Sequence, residues 1–224
     1  MAALLFDLDG TMLDTDPIHL AVFTEMMADF GLNVDHDFYM QHVHGRLNED
    51  FFAEFLPDLE DPHALSRKKE AAFRDRLPRP YPEMPGITAL LARAEREGWP
   101  MAVVTNAERA NAEAMLDAIG HRDRIDVLVI GEECSKAKPD PEPYHAAMRA
   151  LGKAPENCIA FEDSPSGLRA AAASGAYTVG VASSLTPAQL GQAGAATTIE
   201  HFNDPALEPV LQRLKGDSHD AHRH

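Results

Sequence analysis

Cysteine is scarce in this chain of 224 residues. Cys134 and Cys158 are the only two, and they do not form a CxxC pair. Two isolated cysteines make neither a zinc-binding framework nor the disulfide scaffold of a small secreted domain. Their scarcity favours a reducing compartment, so we expect a cytoplasmic protein.

Basic residues and long apolar runs are also few. Lysine and arginine number 20 against 36 aspartates and glutamates, which gives a formal net charge of −16. Nucleic acids and anionic membranes require a positive protein surface, so we expect neither as a partner. No apolar stretch approaches the roughly 18 residues of a membrane-spanning helix. Residues 1–6 are too short and too uncharged for a signal peptide, and we expect none.

The order of apolar segments predicts an α/β fold. A first strand-like run, residues 3–7, is followed by a long helical stretch without a strand signal. After this stretch, apolar strands alternate with amphipathic helices, which is typical of a parallel sheet with helices on both faces. We therefore expect an α/β core of residues 1–14 and 82–224, with an inserted helical domain of residues 15–81.

Two carboxylates stand where the first apolar strand ends. Asp7 follows the run, Asp9 comes two residues later, and Gly10 and Thr11 come next. The two-residue period of a strand points Asp7 and Asp9 to the same side, at the edge where open parallel sheets carry their chemistry. Acids this close repel each other, so the pair indicates a divalent cation or a shared proton. The same string also suits a strand that simply ends in turn-forming residues.

Two later segments carry groups that suit a phosphate. Thr105 and Asn106 end another apolar strand, and their hydroxyl and carboxamide, with the free amides of the next helix, are suitable donors for phosphate oxygens. Lys138 directly precedes a proline, which restricts it to extended conformations and helps to aim its side chain. An ammonium group among carboxylates would bind a transferring phosphoryl group. An ordinary polar strand end and a surface lysine are the alternative interpretations.

A fourth segment supplies oxygen ligands for a metal ion. Glu162 and Asp163 end a further apolar strand. Magnesium ions prefer oxygen ligands in near-octahedral geometry, and Asp7, the backbone carbonyl of Asp9, and Asp163 would supply them. Regular strand alternation would point Glu162 the opposite way, so we expect it to be an accessory ligand or to orient one.

Together these segments resemble the motifs of the haloacid dehalogenase (HAD) superfamily. The matching strings, in the family's order, are Asp7-x-Asp9-Gly10-Thr11, Thr105-Asn106, Lys138-Pro139-x-Pro141 and Glu162-Asp163-Ser164-x-x-Gly167. The helical insertion resembles the C1 cap of that family. The resemblance therefore implies a HAD-like doubly wound parallel sheet with an inserted helical cap.

The resemblance implies a Mg²⁺-dependent phosphatase. Asp7 would attack phosphorus and become an aspartyl-phosphate, and Asp9 would protonate the leaving alcohol and then activate water. Thr105, Asn106 and Lys138 would hold the phosphoryl oxygens. The metal ligands would be Asp7, Asp9 and Asp163, with Glu162 as an accessory ligand. The expected substrate is a small phosphorylated metabolite, a sugar or polyol phosphate.

A phosphotransferase similar to β-phosphoglucomutase is the main alternative. Its opening motif, cap and Glu-Asp-Ser phrase look similar, and His19 matches a cap-proximal histidine of that group. An arginine of that group would be expected where Asn48 stands, although Arg46 is nearby, and its cap lysine has no clear counterpart around residues 73–76. These departures favour hydrolysis. His19 and Arg46 are the candidate substrate residues of the cap.

Two further alternatives are less favoured. Haloacid dehalogenases themselves attack carbon and lack a carboxylate at the position of Asp9. A non-catalytic acidic binding domain would be expected to lose Asp7, Asp9, Lys138 or Asp163, and all of them are present. The polar tail, residues 217–224, carries three histidines. Their spacing matches no defined metal site, and we assign the tail no role.

Overall fold

The computed structural model describes residues 2–44, 46 and 48–216. The chain divides into two compact units. The described residues up to Asp14 and from Pro80 to Gly216 form the sheet unit, and those of Thr15–Arg79 form the helical unit. The second boundary therefore lies at Pro80, where the sequence placed it at residue 82. The histidine-containing tail, residues 217–224, lies outside the described residues.

The sheet unit is built on parallel strands. The described strands are β1 (Ala3–Phe6), β2 (Met101–Thr105), β3 (Val127–Ile130), β4 (Cys158–Glu162), β5 (Tyr177–Val181) and β6 (Thr197–Ile199). Their order across the sheet is β3-β2-β1-β4-β5-β6, and all neighbours are parallel. The direction of winding reverses between β1 and β4, and such a switch point is where open α/β sheets bind ligands. The predicted doubly wound parallel sheet is confirmed.

The helical unit has an aromatic core. Its described helices are α1 (Asp16–Ala28), α2 (His36–His42), α3 (Asn48–Phe55) and α4 (Pro62–Arg76). Asp35 and Asp61 cap α2 and α4, because their carboxylates accept from the free backbone N–H groups of the first turn. Phe23 of α1 packs edge-to-face against Phe51 of α3, with ring centroids 5.4 Å apart.

Helices cover the sheet. They are α5 (Ile87–Glu97), α6 (Arg109–Ala118), α7 (Glu142–Leu151), α8 (Pro165–Ala173), α9 (Pro187–Ala193) and α10 (Leu207–Gly216). Leu5 belongs to a buried cluster with Tyr144 of α7. On the strand's other face, Phe6 stacks on Phe161 with ring centroids 5.0 Å apart. By the same alternation, Asp7 continues the face of Leu5 and Tyr144.

The described helices include no candidate membrane span. None of the described helices combines the length and the apolar character that crossing a bilayer requires.

Candidate active site

The carboxyl ends of neighbouring strands meet at one edge of the sheet. β1 lies between β2 and β4, and Phe6 lies beside Val103 on one side and Phe161 on the other. The next residue, Asp7, donates its backbone N–H to the Phe161 carbonyl at 2.9 Å, which extends the pairing of β1 with β4. This register brings Asp7 next to Glu162, and both lie at the switch point of the sheet.

A buried lysine joins these two carboxylates. The Nζ atom of Lys138 lies 2.6 Å from Asp7 Oδ1, from Glu162 Oε1 and from the carbonyl oxygen of Val104. An ammonium group has three N–H donors, and each has an acceptor here. Burial acts to lower the pKa of Lys138, but the negative charges of Asp7 and Glu162 outweigh it and raise that pKa to about 12. Lys138 is therefore a fixed positive charge within the site.

Three buried carboxylates converge beside this ammonium group. Oxygen atoms of Asp7, Glu162 and Asp163 lie within 4.8 Å of one another. Asp163 is held from two sides, because Thr11 Oγ1 donates to its Oδ1 at 3.2 Å and Ser183 Oγ donates to its Oδ2 at 3.4 Å. Ser183, which follows the end of β5, was not predicted from the sequence.

The converging carboxylates outnumber the ammonium group. Burial and then the charge of Glu162 raise the pKa of Asp7 to about 8, in spite of Lys138. Burial and the charges of Asp7 and Glu162 raise the pKa of Asp163 well above its ordinary value. Further positive charge would therefore favour the ionised forms of Asp7 and Asp163, and the oxygen donors of the cluster are those that a hard divalent cation prefers. The residues present fit the expected Mg²⁺.

Asp9 and Gly10 lie in the turn that follows β1. Asp9 pairs with Leu13 and is half-buried. Within the described chain, its carboxylate is not part of the converging group, but its charge contributes to the raised pKa of Asp7. Gly10 has a φ of +82°, and a Cβ there would lie 2.1 Å from Asp163 Oδ2. Only glycine tolerates both this backbone conformation and this close approach.

The polar end of β2 meets the Lys138 segment. Thr105 is buried, and its Oγ1 accepts from the backbone N–H of Ala107 at 3.0 Å. The carboxamide of Asn106 bonds twice to the backbone of Lys138, since Nδ2 donates to the carbonyl and Oδ1 accepts from the N–H, both at 3.2 Å. The structure thus brings the three predicted phosphate-binding residues to the same edge as Asp7, and it gives Asn106 a protein partner.

Glu162 differs from the expectation. We expected it to point away from the other ligands, but its Oε1 accepts from Lys138 and, at 2.8 Å, from the hydroxyl of Tyr144. The cause is the strand register, because paired residues of parallel strands share a face and Glu162 lies beside Asp7. Tyr144 was not predicted from the sequence, since a tyrosine on an amphipathic helix is typical of a packed core. The available signal was its place on the helix that directly follows the Lys138 segment.

In the helical unit, His19 lies within a cluster of polar groups. Its ring stacks on Phe73 with centroids 4.1 Å apart, and its Nδ1 lies 2.9 Å from Nζ of Lys69. Lys69 is buried and donates to Glu70 Oε1 at 2.9 Å. We expected no cap lysine around residues 73–76. The lysine beside His19 is Lys69, about one turn earlier on α4, and this corrects that expectation.

Arg46, the other candidate substrate residue, is bonded within the helical unit. Its Nη1 lies 2.9 Å from Glu54 Oε2, and its guanidinium group donates to two backbone carbonyls at 3.3 Å. Asn48, which stands where the mutase group would carry an arginine, donates to Glu70 Oε1 at 2.7 Å. Glu70 is therefore the residue that links Asn48 to the cluster of Lys69 and His19.

Comparisons with known proteins agree with these motifs. Residues 4–181 match the model of a family described as haloacid dehalogenase-like hydrolase. The fructose-1-phosphate phosphatase YqaB of Escherichia coli (strain K12) is 35% identical to this chain over 184 residues, which cover 80% of this chain and 96% of that protein.

Solved structures share the fold. A HAD hydrolase of family IA, variant 3, from Entamoeba histolytica superposes with a TM-score of 0.85 at 25% identity, covering 96% of this chain and 100% of that one. The CbbY protein of Rhodobacter sphaeroides, solved in complex with xylulose-(1,5)bisphosphate, has a TM-score of 0.79 at 31% identity, covering 90% of this chain and 95% of that one.

Proposed function

The chain belongs to the haloacid dehalogenase-like hydrolases, and we propose that it hydrolyses the phosphate monoester of a small sugar or polyol. One observation carries the proposal: Asp7 is buried at the switch point of the sheet, between a lysine and two further carboxylates. The related proteins support the choice of substrate. YqaB is named for fructose-1-phosphate, and CbbY was solved with a sugar bisphosphate.

Asp7 is the proposed nucleophile. It attacks the phosphorus atom, the bond from phosphorus to the ester oxygen breaks, and an aspartyl-phosphate forms. Lys138 holds Asp7 Oδ1 in place and favours its ionised form. When Mg²⁺ is bound by Asp7, Asp163 and the backbone carbonyl of Asp9, with Glu162 as an accessory ligand, its charge offsets the repulsion between Asp7 and the phosphate.

Asp9 is the proposed general acid and base. It gives a proton to the ester oxygen as the alcohol leaves, and it then takes a proton from the water that hydrolyses the aspartyl-phosphate. Asp9 suits this role because it lies two residues from Asp7 yet outside the converging group of carboxylates.

Thr105 and Lys138 are the proposed partners of the phosphoryl oxygens. The Thr105 hydroxyl accepts from a backbone N–H, and its own O–H can donate to a phosphate oxygen. The Lys138 ammonium group lies against Asp7 and therefore beside the position of a phosphoryl group attached there. Lys138 places a positive charge, and Thr105 a hydrogen-bond donor, where negative charge develops during transfer.

The test is Mg²⁺-dependent release of phosphate from p-nitrophenyl phosphate, followed by a panel of sugar and polyol phosphates. We expect Asp7→Asn to abolish release. Asp123→Asn is the matched control, because Asp123 is exposed in a short turn of the sheet unit. Equal release by the wild type and Asp7→Asn would contradict the proposal.

A phosphotransferase similar to β-phosphoglucomutase is the second candidate. One contact favours it: the buried Lys69 lies beside His19. Lys69 is therefore a candidate for the cap lysine of the mutase group, which the sequence had not identified. The two activities differ in their product. A phosphotransferase would isomerise a sugar phosphate in the presence of a sugar bisphosphate and release little free phosphate, whereas the proposed phosphatase releases phosphate with or without it.

A further inference from the structure

The side chain of Asn106 makes two hydrogen bonds to the backbone of Lys138. The carboxamide oxygen accepts from the Lys138 N–H, and the carboxamide nitrogen donates to the Lys138 carbonyl, each at 3.2 Å. The N–H and the C=O of one residue are thus both paired, as they are in a hydrogen-bonded residue pair of an antiparallel sheet. A single side chain thereby fixes the position and the orientation of the Lys138 backbone relative to β2.

The other end of Lys138 is held by β2, the strand that Asn106 directly follows. Its Nζ donates to the carbonyl of Val104, two residues before Asn106, at 2.6 Å. β2 and the residue that directly follows it therefore hold both ends of the lysine, and the side chain between them is 2% exposed. The remaining two N–H donors of the ammonium group point to Asp7 and Glu162.

Gly131 makes room for this arrangement. A Cβ atom at residue 131 would lie 2.2 Å from Asn106 Oδ1, far inside contact distance. The backbone of Gly131 does not have a positive φ, so alanine can adopt its conformation. The space beside the carboxamide is thus what requires glycine at this position.

We infer that Asn106 is a positioning residue: it fixes the backbone of Lys138 and thereby aims the ammonium group at Asp7. This inference rests on the proposed phosphatase activity for its kinetic consequence, but its geometry can be tested without activity. It differs from the expectation drawn from the sequence, in which Asn106 binds the phosphate directly. The carboxamide oxygen and one N–H of Asn106 are occupied by Lys138.

Amide hydrogen exchange tests the geometry directly. We expect the Lys138 N–H to be protected in the wild type and to exchange faster in both Asn106→Ala and Gly131→Ala, because the first removes the acceptor and the second displaces it. The Asp7 N–H, which bonds to Phe161 within the sheet, should keep its protection and so report that the fold is intact. An unprotected Lys138 N–H in the wild type would overturn the inference.

A double-mutant cycle tests the role in the reaction. A displacement of a reacting group by about 1 Å can lower the rate by about 10²-fold, so we expect Asn106→Ala to lower kcat by up to about that factor and to leave KM nearly unchanged. In a Lys138→Met background, Asn106→Ala should cause no further loss, because Asn106 acts only through Lys138. Additive losses, or a raised KM at unchanged kcat, would instead show direct phosphate binding and overturn the inference.

Two further variants test whether the kinetic loss comes from the contact between Asn106 and Lys138. Gly131→Ala should reproduce the kinetic loss of Asn106→Ala, and Asn157→Ala, at the opposite end of β4, should behave as the wild type. If the wild type releases no phosphate from any ester, the proposed function fails and the kinetic role of Asn106 fails with it. The exchange experiment would still decide whether Asn106 holds Lys138.

Discussion

The Nζ atom of Lys138 lies 2.6 Å from Oδ1 of Asp7, although 131 residues separate them in the chain. The contact is buried, since the side chains of Lys138 and Asp7 are 2% and 10% exposed. A buried charge that loses its partner is costly, because neither water nor another group replaces the lost interaction. Lys138 therefore stabilises the folded protein as well as the reaction that we propose.

Lys138→Met should destabilise the protein, because it leaves Asp7 and Glu162 buried without their cation. Breaking a buried ion pair costs about 3–5 kcal/mol, and we expect a loss of the free energy of unfolding in that range. Denaturant unfolding measures it. Lys136→Met is the matched control: its side chain is 71% exposed, and its removal should change stability by less than about 0.5 kcal/mol. Equal effects of the two substitutions would contradict the description of the site.

Asp9→Asn should lower kcat and leave substrate binding intact. Positioned acid and base groups contribute about 10²- to 10⁴-fold to a rate, and we expect a loss of that size. Steady-state kinetics give kcat, and binding of BeF₃⁻, which mimics a phosphoryl group on Asp7, reports whether the site still assembles. A variant that hydrolyses esters at the wild-type rate would remove Asp9 from the mechanism.

The affinity for Mg²⁺ should rise with pH. Burial and Glu162 raise the pKa of Asp7 to about 8, so a cation that binds below that pH must displace the proton of Asp7. The apparent affinity should therefore increase as the pH rises toward about 8. Calorimetry in buffers of different ionisation enthalpy measures both the affinity and the protons released. An affinity independent of pH, with no proton release, would show that Asp7 is already ionised without the metal.

Lys69→Met should destabilise the helical unit. Lys69 is buried and donates to Glu70. Burial acts to raise the pKa of Glu70, but the charge and hydrogen bond of Lys69 outweigh it and keep that pKa below its ordinary value. The stabilisation is therefore present at neutral pH and is lost as the pH falls through the pKa of the folded state.

The size of the destabilisation follows from Glu70, which Lys69→Met leaves without the hydrogen bond from Lys69. We expect a loss of at least about 1 kcal/mol for Lys69→Met at neutral pH, and a smaller difference from the wild type in acid. Lys68→Met is the control, because Lys68 is the exposed neighbour on the same helix. If both variants have the same free energy of unfolding as the wild type, the charge of Lys69 does not stabilise the helical unit.

The sequence predicted the sheet and the residues at its edge, because both depend on local patterns. Apolar strands that end in polar residues determine which groups reach the edge of a parallel sheet, and Asp7, Thr105 and Asp163 were identified in this way. The orientation of Glu162 was not predictable from its own strand. It depends on the register between β1 and β4, which alternation within one strand does not contain.

The sequence patterns likewise did not predict which side chains contact each other when they lie on different elements. Tyr144 and Lys69 lie on amphipathic helices, where a tyrosine is usually part of the core and a lysine is usually solvated. Only the folded chain shows that one donates to Glu162 and the other to Glu70. Asn106 was found by its position at a strand end, but the pairing of its carboxamide with the backbone of Lys138 required the structure.

The most direct measurement is the site of covalent phosphorylation during turnover. The enzyme is mixed with a reactive phosphate ester and Mg²⁺, quenched within a single turnover and reduced with borohydride, which converts an aspartyl-phosphate to homoserine. Peptide mass spectrometry should then find homoserine in place of Asp7 and nowhere else. Hydrolysis of the ester at full rate with Asp7 unmodified would contradict the account.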